Sequence, residues 1–595
     1  MTTTGTAGAT REYTYNEATP KCGGFEGQRC TAKDGNSKVA SFEYDAKGNL
    51  KAVTPPAPLG KTEYTYDALG RVETVTDGRG IKTVYVYDNR DRVTKVSSTN
   101  ATVTYSYDGD GNVKSRTDAS GTTGWDYDKL NRESVRTLQN GAQTALAYTP
   151  AGDVDYYIDP TGKTDYTWDK AGRLDYLTVP DGKKTDFDYN KNDKRTKTIY
   201  PGGTTQAVDI DDNGRPEAVK TTSGSTTLID LAYSYKNTAG KDTTKVRTRT
   251  DNLTKNKTTY DYDSQDRLRY ALEADAAGAR KASWLYCWDK AGNLTSQDGT
   301  ENASPGGTTY SYDDASELTG KNGTTSGWSY DKLGNETAGA SATARTNETW
   351  TDYSQLFGIT TGGKSYDLVH AGTTNSERTK LGSTWFHHTA LGLASTTTNG
   401  VDTGFIREPA GTLNSMTTGG KSYYYLTDAT GNVLGLVDDT GKRTHTYAYG
   451  PTSLPRGTTT EAVPQPHRYT GAYLDPTGLY KMGHRYYDPT LGRFTQPDPS
   501  GQETNPYLYA AGDPINNSDP MDFSASPTLS MRERASSALP RVALPGSAPR
   551  VKRASSPLPA SWPARGARRP RSRAVAPSEA SSVTTTPTSS VTADP

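Results

Sequence analysis

The chain of 595 residues carries 68 basic and 68 acidic side chains, and its zero net formal charge excludes a general electrostatic attraction to nucleic acid or to an anionic membrane surface. Apolar residues make up only 32% of the sequence, against roughly 45–50% in ordinary globular domains, so a thick and solid core is excluded as well. No run of 18 apolar residues occurs, so no transmembrane helix is predicted. The 40 tyrosines favour ordered strands over disorder, because aromatic side chains bury large areas.

Residues 1–35 are predicted to be an N-terminal lead-in. Cys22 and Cys30 bracket the loop CGGFEGQRC and could close a disulfide in an oxidising compartment. No basic segment followed by an apolar one opens the chain, so no signal peptide is predicted; either export uses another route or the chain is the later piece of a longer one. Cys287 is predicted to be a small buried residue of a strand. Neither a CxxC motif nor a spaced histidine pair occurs, so no metal or other cofactor is predicted.

Residues 36–345 contain an aromatic residue followed by a polar one at regular intervals. The interval is 20 to 22 residues as far as Ile210 and 18 to 27 residues beyond it. A fixed period of this length is typical of a repeat architecture. The pairs are Tyr44-Asp45, Tyr66-Asp67, Tyr87-Asp88, Tyr107-Asp108, Tyr127-Asp128, Tyr148-Thr149, Trp168-Asp169, Tyr189-Asn190, Ile210-Asp211, Tyr235-Lys236, Tyr262-Asp263, Trp288-Asp289, Tyr312-Asp313 and Tyr330-Asp331.

Each repeat is predicted to be a β-hairpin. Residues before the pair alternate with a period of two, as in residues 62–66, TEYTY. Turn glycines such as Gly70 and Gly172 follow, and a second alternating run comes after them. A lone hairpin is marginal in water, so we expect the hairpins to stack, with tyrosine rings covering one another and the Asp and Gly residues shaping the turn.

Residues 346–422 continue the pattern less regularly, and residues 423–520 are dense in motifs. These are Tyr469-Thr470-Gly471, Leu474-Asp475, Gly478-Leu479-Tyr480, Arg485-Tyr486-Tyr487-Asp488-Pro489, Gly492-Arg493-Phe494, Pro497-Asp498-Pro499 and Asn505-Pro506-Tyr507-Leu508-Tyr509. The segment 423–520 resembles the Rhs repeat-associated core. The aromatic–polar pairs, which we call YD pairs, resemble the repeats of the Rhs (rearrangement hotspot) family. Similar repeats form the C components of Tc toxins and the YD shell of teneurins. The resemblance covers about residues 35–520.

The resemblance implies an all-β fold in which stacked hairpins wind as a spiralling antiparallel sheet into a hollow shell. A shell has water on its surfaces, which agrees with the polar composition. Family shells are usually longer, which suggests an incomplete wall here. An incomplete wall leaves an unpaired strand edge, and such an edge predicts aggregation or association with another chain.

The resemblance also implies where self-cleavage would occur. In relatives the core precedes a variable C-terminal toxin domain, which aspartate-dependent cleavage at a DPxGL boundary releases inside the shell. Asp498 matches the family's PDP aspartate, and Asp519 with Pro520 matches the first half of the boundary. Paired carboxylates suit peptide hydrolysis, because one acts as a base while the other donates a proton.

Three features of this sequence bear on that site. Residues 521–523, MDF, depart from the second half of the boundary, and Tyr486 stands where some self-cleaving members carry an aspartate. Arg485 is a candidate supporting residue of the site, and a structural ion pair inside the shell is the favoured alternative for it. An Asp-Pro turn is the structural alternative for Asp498.

Residues 521–595 differ from the rest of the chain and are predicted to be a disordered basic tail. Arg, Pro, Ser and Ala dominate, with eleven basic against four acidic residues and no periodic apolar pattern. We hypothesise that a change of reading frame at the boundary has replaced a toxin domain with this segment.

The main interpretation is a non-enzymatic wall of an Rhs-type polymorphic toxin, which encloses and delivers a C-terminal effector in competition between bacteria, with the toxin domain missing. The implied partners are a toxin inside the shell and another shell chain or a secretion component, without nucleic acid or a membrane span, and the implied location is secreted or at the cell surface. Two alternatives stay open. One is a cell-surface adhesin that binds carbohydrate through tyrosine rings, and the other is a self-cleaving protein that uses Asp498 and Asp519.

Overall fold

The computed structural model of the protein describes residues 2–4, 10–300, 307–501 and 505–518. The predicted all-β class is confirmed, because these residues form antiparallel sheets and contain no α-helix. The helical elements among them are three single 3₁₀ turns at Pro201–Gly203, Tyr469–Gly471 and Ala510–Gly512. The predicted tail, residues 521–595, lies outside the described residues.

The first sheet has 29 strands, and each strand pairs with the one before it and the one after it along the chain. Such a meander is what alternating runs joined by short turns produce. Its strands are β1 Thr2–Thr4, β2 Thr10–Tyr15, β3 Arg29–Lys33, β4 Val39–Tyr44, β5 Leu50–Thr54, β6 Thr62–Tyr66, β7 Val72–Thr76, β8 Lys82–Tyr87, β9 Val93–Ser97, β10 Thr102–Tyr107, β11 Val113–Asp118, β12 Gly121–Tyr127, β13 Glu133–Thr137, β14 Gln143–Tyr148, β15 Val154–Asp159, β16 Gly162–Trp168, β17 Leu174–Thr178, β18 Lys184–Tyr189, β19 Arg195–Ile199, β20 Thr204–Ile210, β21 Pro216–Ser223, β22 Thr226–Ser234, β23 Thr248–Asp251, β24 Asn256–Tyr262, β25 Leu268–Ala274, β26 Arg280–Trp288, β27 Leu294–Thr300, β28 Thr308–Tyr312 and β29 Leu318–Lys321.

Three further sheets follow. A hairpin of β30 Ser329–Tyr330 and β31 Glu336–Ala338 precedes a second meander of twelve strands and a small C-terminal sheet of four. The second meander is β32 Arg345–Trp350, β33 Leu356–Thr361, β34 Lys364–His370, β35 Arg378–Leu381, β36 Thr384–Thr389, β37 Gly392–Thr398, β38 Val401–Arg407, β39 Leu413–Thr418, β40 Lys421–Thr427, β41 Val433–Asp438, β42 Arg443–Thr446 and β43 Thr460–Glu461. The C-terminal sheet is β44 Tyr473–Leu474, β45 Tyr480–Met482, β46 Arg485–Asp488 and β47 Arg493–Phe494.

The predicted hairpin repeat is confirmed in detail. The strand register shifts at the tyrosine of the YD pair, as between Thr65 and Tyr66, and the chain turns directly after it. Asp67 N–H donates to the Arg71 carbonyl at 2.9 Å, and Gly70 N–H donates back to the Asp67 carbonyl at 3.0 Å. Gly70 has a φ of +79°, which L side chains rarely adopt, so this place in the turn favours glycine.

The hairpin array extends into the predicted lead-in. The pair Tyr15-Asn16 ends β2 as a YD pair ends its strand, with the same register shift before the tyrosine. Asn16 N–H donates to the Gln28 carbonyl, and Gly27 N–H donates to the Asn16 carbonyl, in the pattern of the other turns. In this turn the paired residue, Gln28, lies twelve positions after Asn16, where in the other turns it lies four positions after the aspartate, and the extra length hid the turn from the sequence pattern.

The two meanders lie against each other within residues 10–461, which we call the wall. Hydrogen bonds join residues 273 positions apart at Arg79 and Asp352, 241 apart at Tyr166 and Arg407, and 183 apart at Glu273 and Arg456. The separation thus falls from 273 to 183 residues between the start and the end of the contact. The chain therefore coils back on itself. The second meander, β32–β43, which we call the second layer, runs alongside the first meander, β1–β29, which we call the first layer.

Apolar burial is distributed over several small clusters, in keeping with the low apolar content. Two of them combine residues of both layers, such as Leu146 and Leu177 with Ile406. Another lies in the C-terminal sheet, where the rings of Tyr487 and Tyr509 are 4.7 Å apart. Rings of this kind bury large areas in a thin layer.

Candidate functional site

Asp498 lies in a tight turn after β47 and is 8% exposed. Its carboxylate accepts hydrogen bonds from the Ser500 N–H at 2.8 Å and the Ser500 hydroxyl at 2.7 Å, and its own N–H donates to the Pro506 carbonyl at 2.8 Å. Asp498 therefore forms a turn, as the structural alternative predicts, and the carboxylate that forms this turn is also the candidate catalytic group. Asp519, the second predicted carboxylate, lies outside the described residues.

Arg485 is brought to the same place. Its side chain is 1% exposed, its guanidinium lies 3.6 Å from the ring centroid of Phe494, and its Nη1 donates to the Pro506 carbonyl at 3.0 Å. Arg485 and Asp498 thus converge on one backbone carbonyl. A cation this close to an aromatic face and to a carbonyl dipole is firmly oriented.

A neutral imidazole adjoins this pair. The pKa of His484 is lowered to about 4, first by burial and then by the charges of Lys481 and Arg485, while Asp498 opposes the shift. His484 is therefore uncharged near pH 7. The arrangement places a carboxylate, an arginine and a neutral proton acceptor together, which are groups that peptide hydrolysis can use.

Tyr486, where some relatives carry an aspartate, is fully buried in a different network. Its hydroxyl lies 3.0 Å from Nε2 of His370, a wall residue, and the two rings meet edge to face. Beside it Arg378 forms two hydrogen bonds with Asp475 at 2.5 and 2.7 Å. Tyr486 therefore ties the C-terminal sheet to the wall and supplies no carboxylate.

The YD turns form a chain of contacts that the sequence analysis missed. Arg71 Nε donates to Asp67 at 2.6 Å, the Arg71 guanidinium lies 4.5 Å from the ring of Tyr87 in the next repeat, and the Tyr87 hydroxyl donates to the Val72 carbonyl at 2.7 Å. The ring is thus covered by an arginine, and not by another tyrosine as expected. The signal was visible as the Arg or Asn four residues after every YD aspartate of the array except Asp313.

This contact recurs along the wall. The residue four positions after the aspartate donates to its carboxylate in eleven turns, through Asn49, Arg71, Arg92, Asn112, Arg132, Arg173, Arg215, Arg267, Asn293, Asn335 and Asn432. In seven of these turns the donors lower the pKa of the aspartate, namely that of Asp45, Asp67, Asp88, Asp108, Asp128, Asp169 and Asp211. The pKa of Asp88 falls to about 2, chiefly through the side-chain hydrogen bond from Arg92. These seven turns are therefore held by ionised carboxylates at neutral pH.

One turn and one cluster depart from this pattern where the C-terminal sheet meets the wall. The turn that begins at Asp313 carries Glu317 in the donor place, so two carboxyl groups face each other, and Glu317 is 3% exposed. Nearby, Arg345 lies among three buried carboxyl groups, those of Glu336, Glu348 and Asp488.

The two cysteines of the expanded turn are bonded to each other, as the sequence analysis expected of Cys22 and Cys30. Asn16 accepts hydrogen bonds from the backbone of Lys21 and Cys22 inside the same turn. The prediction for Cys287 was wrong, because its side chain is exposed. The strand alternates, Tyr286 takes the buried face at 1% exposure, and Cys287 therefore points to water.

An open polar cleft of about 540 Å³ lies where the turn at Asn36 and Lys38 meets Asp289, Tyr310 and Asp314. Its side chains bond mainly to one another, as in the Asn36–Asp289 hydrogen bond and the Lys38–Asp314 ion pair. No group of three or more His, Cys, Asp and Glu side chains in the described parts of the chain is arranged to hold a metal ion. Within the same parts, no helix has the length and apolar character needed to cross a bilayer.

Known proteins resemble this chain in sequence and in fold. The family described as RHS Repeat matches residues 44–82, 66–103, 87–123 and 107–142. The tRNA3(Ser)-specific nuclease WapA of Bacillus spizizenii is 30% identical over 213 residues, which are 32% of this chain and 9% of that protein. Salivary gland surface protein 1 of Aedes aegypti is 38% identical over 125 residues, or 20% of this chain and 4% of that protein.

A chain in the structure of the Photorhabdus luminescens Tc holotoxin pore, which contains a TccC3 mutation, superposes with a TM-score of 0.70 at 16% identity. The match covers 87% of this chain and 30% of that chain. At this identity the likeness is one of fold. The protein thus spans less than a tenth of these curated relatives and about a third of the matched toxin chain.

Proposed function

The chain is an Rhs/YD-repeat protein, and from this premise we propose that it is wall material of a polymorphic toxin, which encloses and delivers a C-terminal effector in competition between bacteria. In this proposal residues 36–422 supply the repeats of the shell, and residues 423–520 form the core that closes it. The relatives named as WapA nucleases and the shared fold of a Tc toxin chain support the proposal. The role of these residues is structural and needs no reaction.

The observation that carries the proposal is the pairing of two sheet layers through partly buried ion pairs. Arg195 in the first layer donates to both oxygens of Glu408 in the second at 2.8 and 2.5 Å. Glu377 of the second layer likewise accepts from Arg116 at 3.0 Å and Arg136 at 2.9 Å of the first. Bidentate pairs of this kind fix geometry. They hold a thin sheet in a coil, which suits a container better than a ligand-binding globule.

A protease-protection experiment tests the enclosure of a C-terminal segment. A specific protease site and a short tag are appended after residue 595 of the full chain. The matched control places the same site in the exposed hairpin turn between Thr398 and Val401. We expect the appended site to be cleaved many times more slowly than the control site. Equal cleavage of the two sites would contradict enclosure.

We propose a secreted or cell-surface location, with the enclosed effector and a further wall chain or secretion component as partners. The YD turns from Asp67 to Arg215 belong to the first layer. In these turns the side chains of Asp91 and Asp193 stay about 70% exposed, although each forms an ion pair with an arginine of the preceding turn. In the second layer, the turn at Asp352 is covered by Ser98 and Asn100 of the first layer. The turns of the first layer likewise present carboxylates that accept hydrogen bonds, and in this proposal they bind the turns of a further wall chain.

Self-cleavage is a second proposal, and the convergence of Arg485 and Asp498 on one carbonyl supports it. In this proposal Asp498 acts as the base and Asp519 is the candidate second carboxylate. The full chain would release a fragment ending near residue 523, and Asp498→Asn would abolish the release. An intact band from the unmodified chain over days at pH 5 to 8 would contradict it.

The carbohydrate-binding alternative is less well supported. A sugar would stack on the face of a tyrosine ring, but arginines already cover these faces at 4.0 to 4.8 Å in the pairs Arg71–Tyr87, Arg92–Tyr107, Arg132–Tyr148, Arg173–Tyr189 and Arg215–Tyr235. Binding to a glycan array at micromolar protein would revive this alternative.

A further inference from the structure

The contacts between the C-terminal sheet and the wall form a seam, which we call the C-terminal seam. Arg493 Nη2 donates to the Ser316 carbonyl at 2.8 Å, and the Tyr507 hydroxyl donates to the Gly334 carbonyl at 2.8 Å. Backbone bonding continues there, since Glu336 N–H donates to the carbonyl of Thr495 at 3.0 Å. These contacts join chain segments that lie more than 140 residues apart.

Glu317 breaks the rule of the YD turns at this seam. Eleven other turns place an Arg or Asn donor four residues after the aspartate, whereas Glu317 presents a carboxyl group to the carboxyl group of Asp313. Asp331 of the next turn adds negative charge, and Arg493 of the C-terminal sheet acts on Glu317 as a cation. Two carboxyl groups this close cannot both ionise at low cost, so they share a proton. Burial, followed by Asp313 and Asp331, raises the pKa of Glu317 to about 8.

The Arg345 cluster has the same excess of carboxyl groups. Arg345 is 3% exposed, and it lies 2.5 Å from Glu336, 3.2 Å from Glu348 and 2.5 Å from Asp488. One guanidinium balances one charge of three, and Asp488 keeps its negative charge because Arg345 and Thr490 stabilise it. Burial and the neighbouring Glu336 raise the pKa of Glu348 far above its ordinary value, although Arg345 opposes the shift. Glu348 therefore holds a proton while the cluster is intact.

Both proton-holding groups are joined to the C-terminal sheet through an arginine. Glu317 faces Arg493 of β47, and Glu348 shares Arg345 with Asp488 of β46. His484 lies between β45 and β46 of that sheet. Its pKa is lowered to about 4, so it stays neutral from pH 6 to 9. The charge at the seam thus changes through the two glutamates.

We propose that the C-terminal seam is a proton-dependent latch, which is closed while Glu317 and Glu348 each hold a proton and loosens when rising pH removes both. The loss of the protons leaves pairs of buried negative charges that Arg345 and Arg493 cannot balance. The sheet β44–β47 then separates from the wall at β32 and at the Asp313 turn. The inference rests on the geometry of the seam and not on the presence of a toxin.

Hydrogen–deuterium exchange of the full chain tests the latch. Protection of peptides covering residues 312–320, 336–350 and 485–509 is measured from pH 6 to 9 and corrected for intrinsic exchange rates. We expect protection at the seam to fall by up to about tenfold per pH unit for each proton lost. Peptides covering β6–β10, in the first layer, serve as the internal reference and should change little.

The matched variants replace the two glutamates with permanently neutral glutamine. Glu317→Gln combined with Glu348→Gln should keep the wild-type protection of pH 6 across the whole range, whereas Glu63→Gln, at an exposed position of β6, should behave as the wild type. Glu317→Gln alone should remove part of the pH dependence, and its fold is safeguarded because Asn293 and Asn335 already occupy that place in other turns. A pH-independent wild type, or an unchanged pH dependence in the glutamine variants, would overturn the latch.

Discussion

At the scale of single residues, the wall is held by a relay of short polar contacts repeated from turn to turn. The aspartate binds the arginine four residues later, this arginine covers the tyrosine ring of the next repeat, and the tyrosine hydroxyl returns to a backbone carbonyl. Each contact contributes little alone. Repetition along an array makes the sum large, because every repeat is stabilised by its neighbours.

The first prediction concerns the tyrosine hydroxyl. Tyr189→Phe removes the hydrogen bond to the Leu174 carbonyl at 2.8 Å and leaves that half-buried acceptor unpaired. We expect the free energy of unfolding to fall by about 1 kcal/mol. Denaturant titration measures it, and Tyr15→Phe, at a 42% exposed ring, is the control. An equal effect of both substitutions would speak against the relay.

The second prediction concerns acid stability. The pKa of Asp88 in the folded protein is about 2, below the unfolded value of 3.8, so its stabilising contribution is present above pH 4 and is lost as the pH falls through about 2. The pKa values of Asp67 and Asp128 are lowered in the same direction. Circular dichroism should therefore show cooperative acid unfolding below pH 4. Asp88→Asn should make stability less dependent on pH in that interval, and an unchanged profile would contradict the assignment.

At the scale of elements, glycines have two separate uses in the hairpins. Gly70 lies at positive φ with open space around its Cα, so an alanine there would be strained but would touch nothing. Gly60 has ordinary φ, yet a Cβ would lie 2.0 Å from the Gly78 carbonyl oxygen, in a turn that also contacts Lys332 of the β30–β31 hairpin, which precedes the second layer.

The third prediction compares these two glycines. Gly70→Ala should cost about 1–2 kcal/mol of stability through backbone strain and leave the contact with the β30–β31 hairpin intact. Gly60→Ala should instead push apart the turns where the first layer meets that hairpin. Hydrogen exchange around residues 331–335 reports this difference. Greater exchange there in Gly70→Ala than in Gly60→Ala would be the contrary result.

The hairpins, their length and their turns could be predicted from the sequence, because alternation and turn glycines are local signals. The turn of Tyr15-Asn16 could not, since its extra residues conceal the period. Cys287 could have been placed correctly, because alternation alone puts it opposite Tyr286. The Arg345 cluster was beyond reach, since Asp488 is 143 residues away from Arg345 and nothing local signals their contact.

At the scale of the whole molecule, the described residues form a long sheet that coils so that distant repeats become neighbours. Contacts between layers combine ion pairs with small apolar clusters, where an ordinary domain would use one packed apolar core. This choice agrees with the 32% apolar content. It also makes the layers depend on individual charged pairs.

The fourth prediction concerns one such pair. Arg195→Met leaves Glu408, which is 4% exposed as a side chain, without its partner in a buried place. We expect a loss of about 3–5 kcal/mol, because the remaining charge is uncompensated. The double variant Arg195→Met with Glu408→Leu should recover most of that loss. Thermal or urea unfolding measures both, and a double variant as unstable as the single one would refute the pairing.

Cross-linking between the layers is the most direct test of the coiled sheet. Ser98 and Asp352 lie 254 positions apart, yet their side chains are joined at 2.8 Å. The full chain carrying Ser98→Cys and Asp352→Cys should form a disulfide between these positions on mild oxidation, and mass spectrometry of the digested protein should identify it. The same measurement with Ser98→Cys and Asp402→Cys should give none. Failure of the first pair to cross-link, or equal cross-linking of both pairs, would contradict the coil.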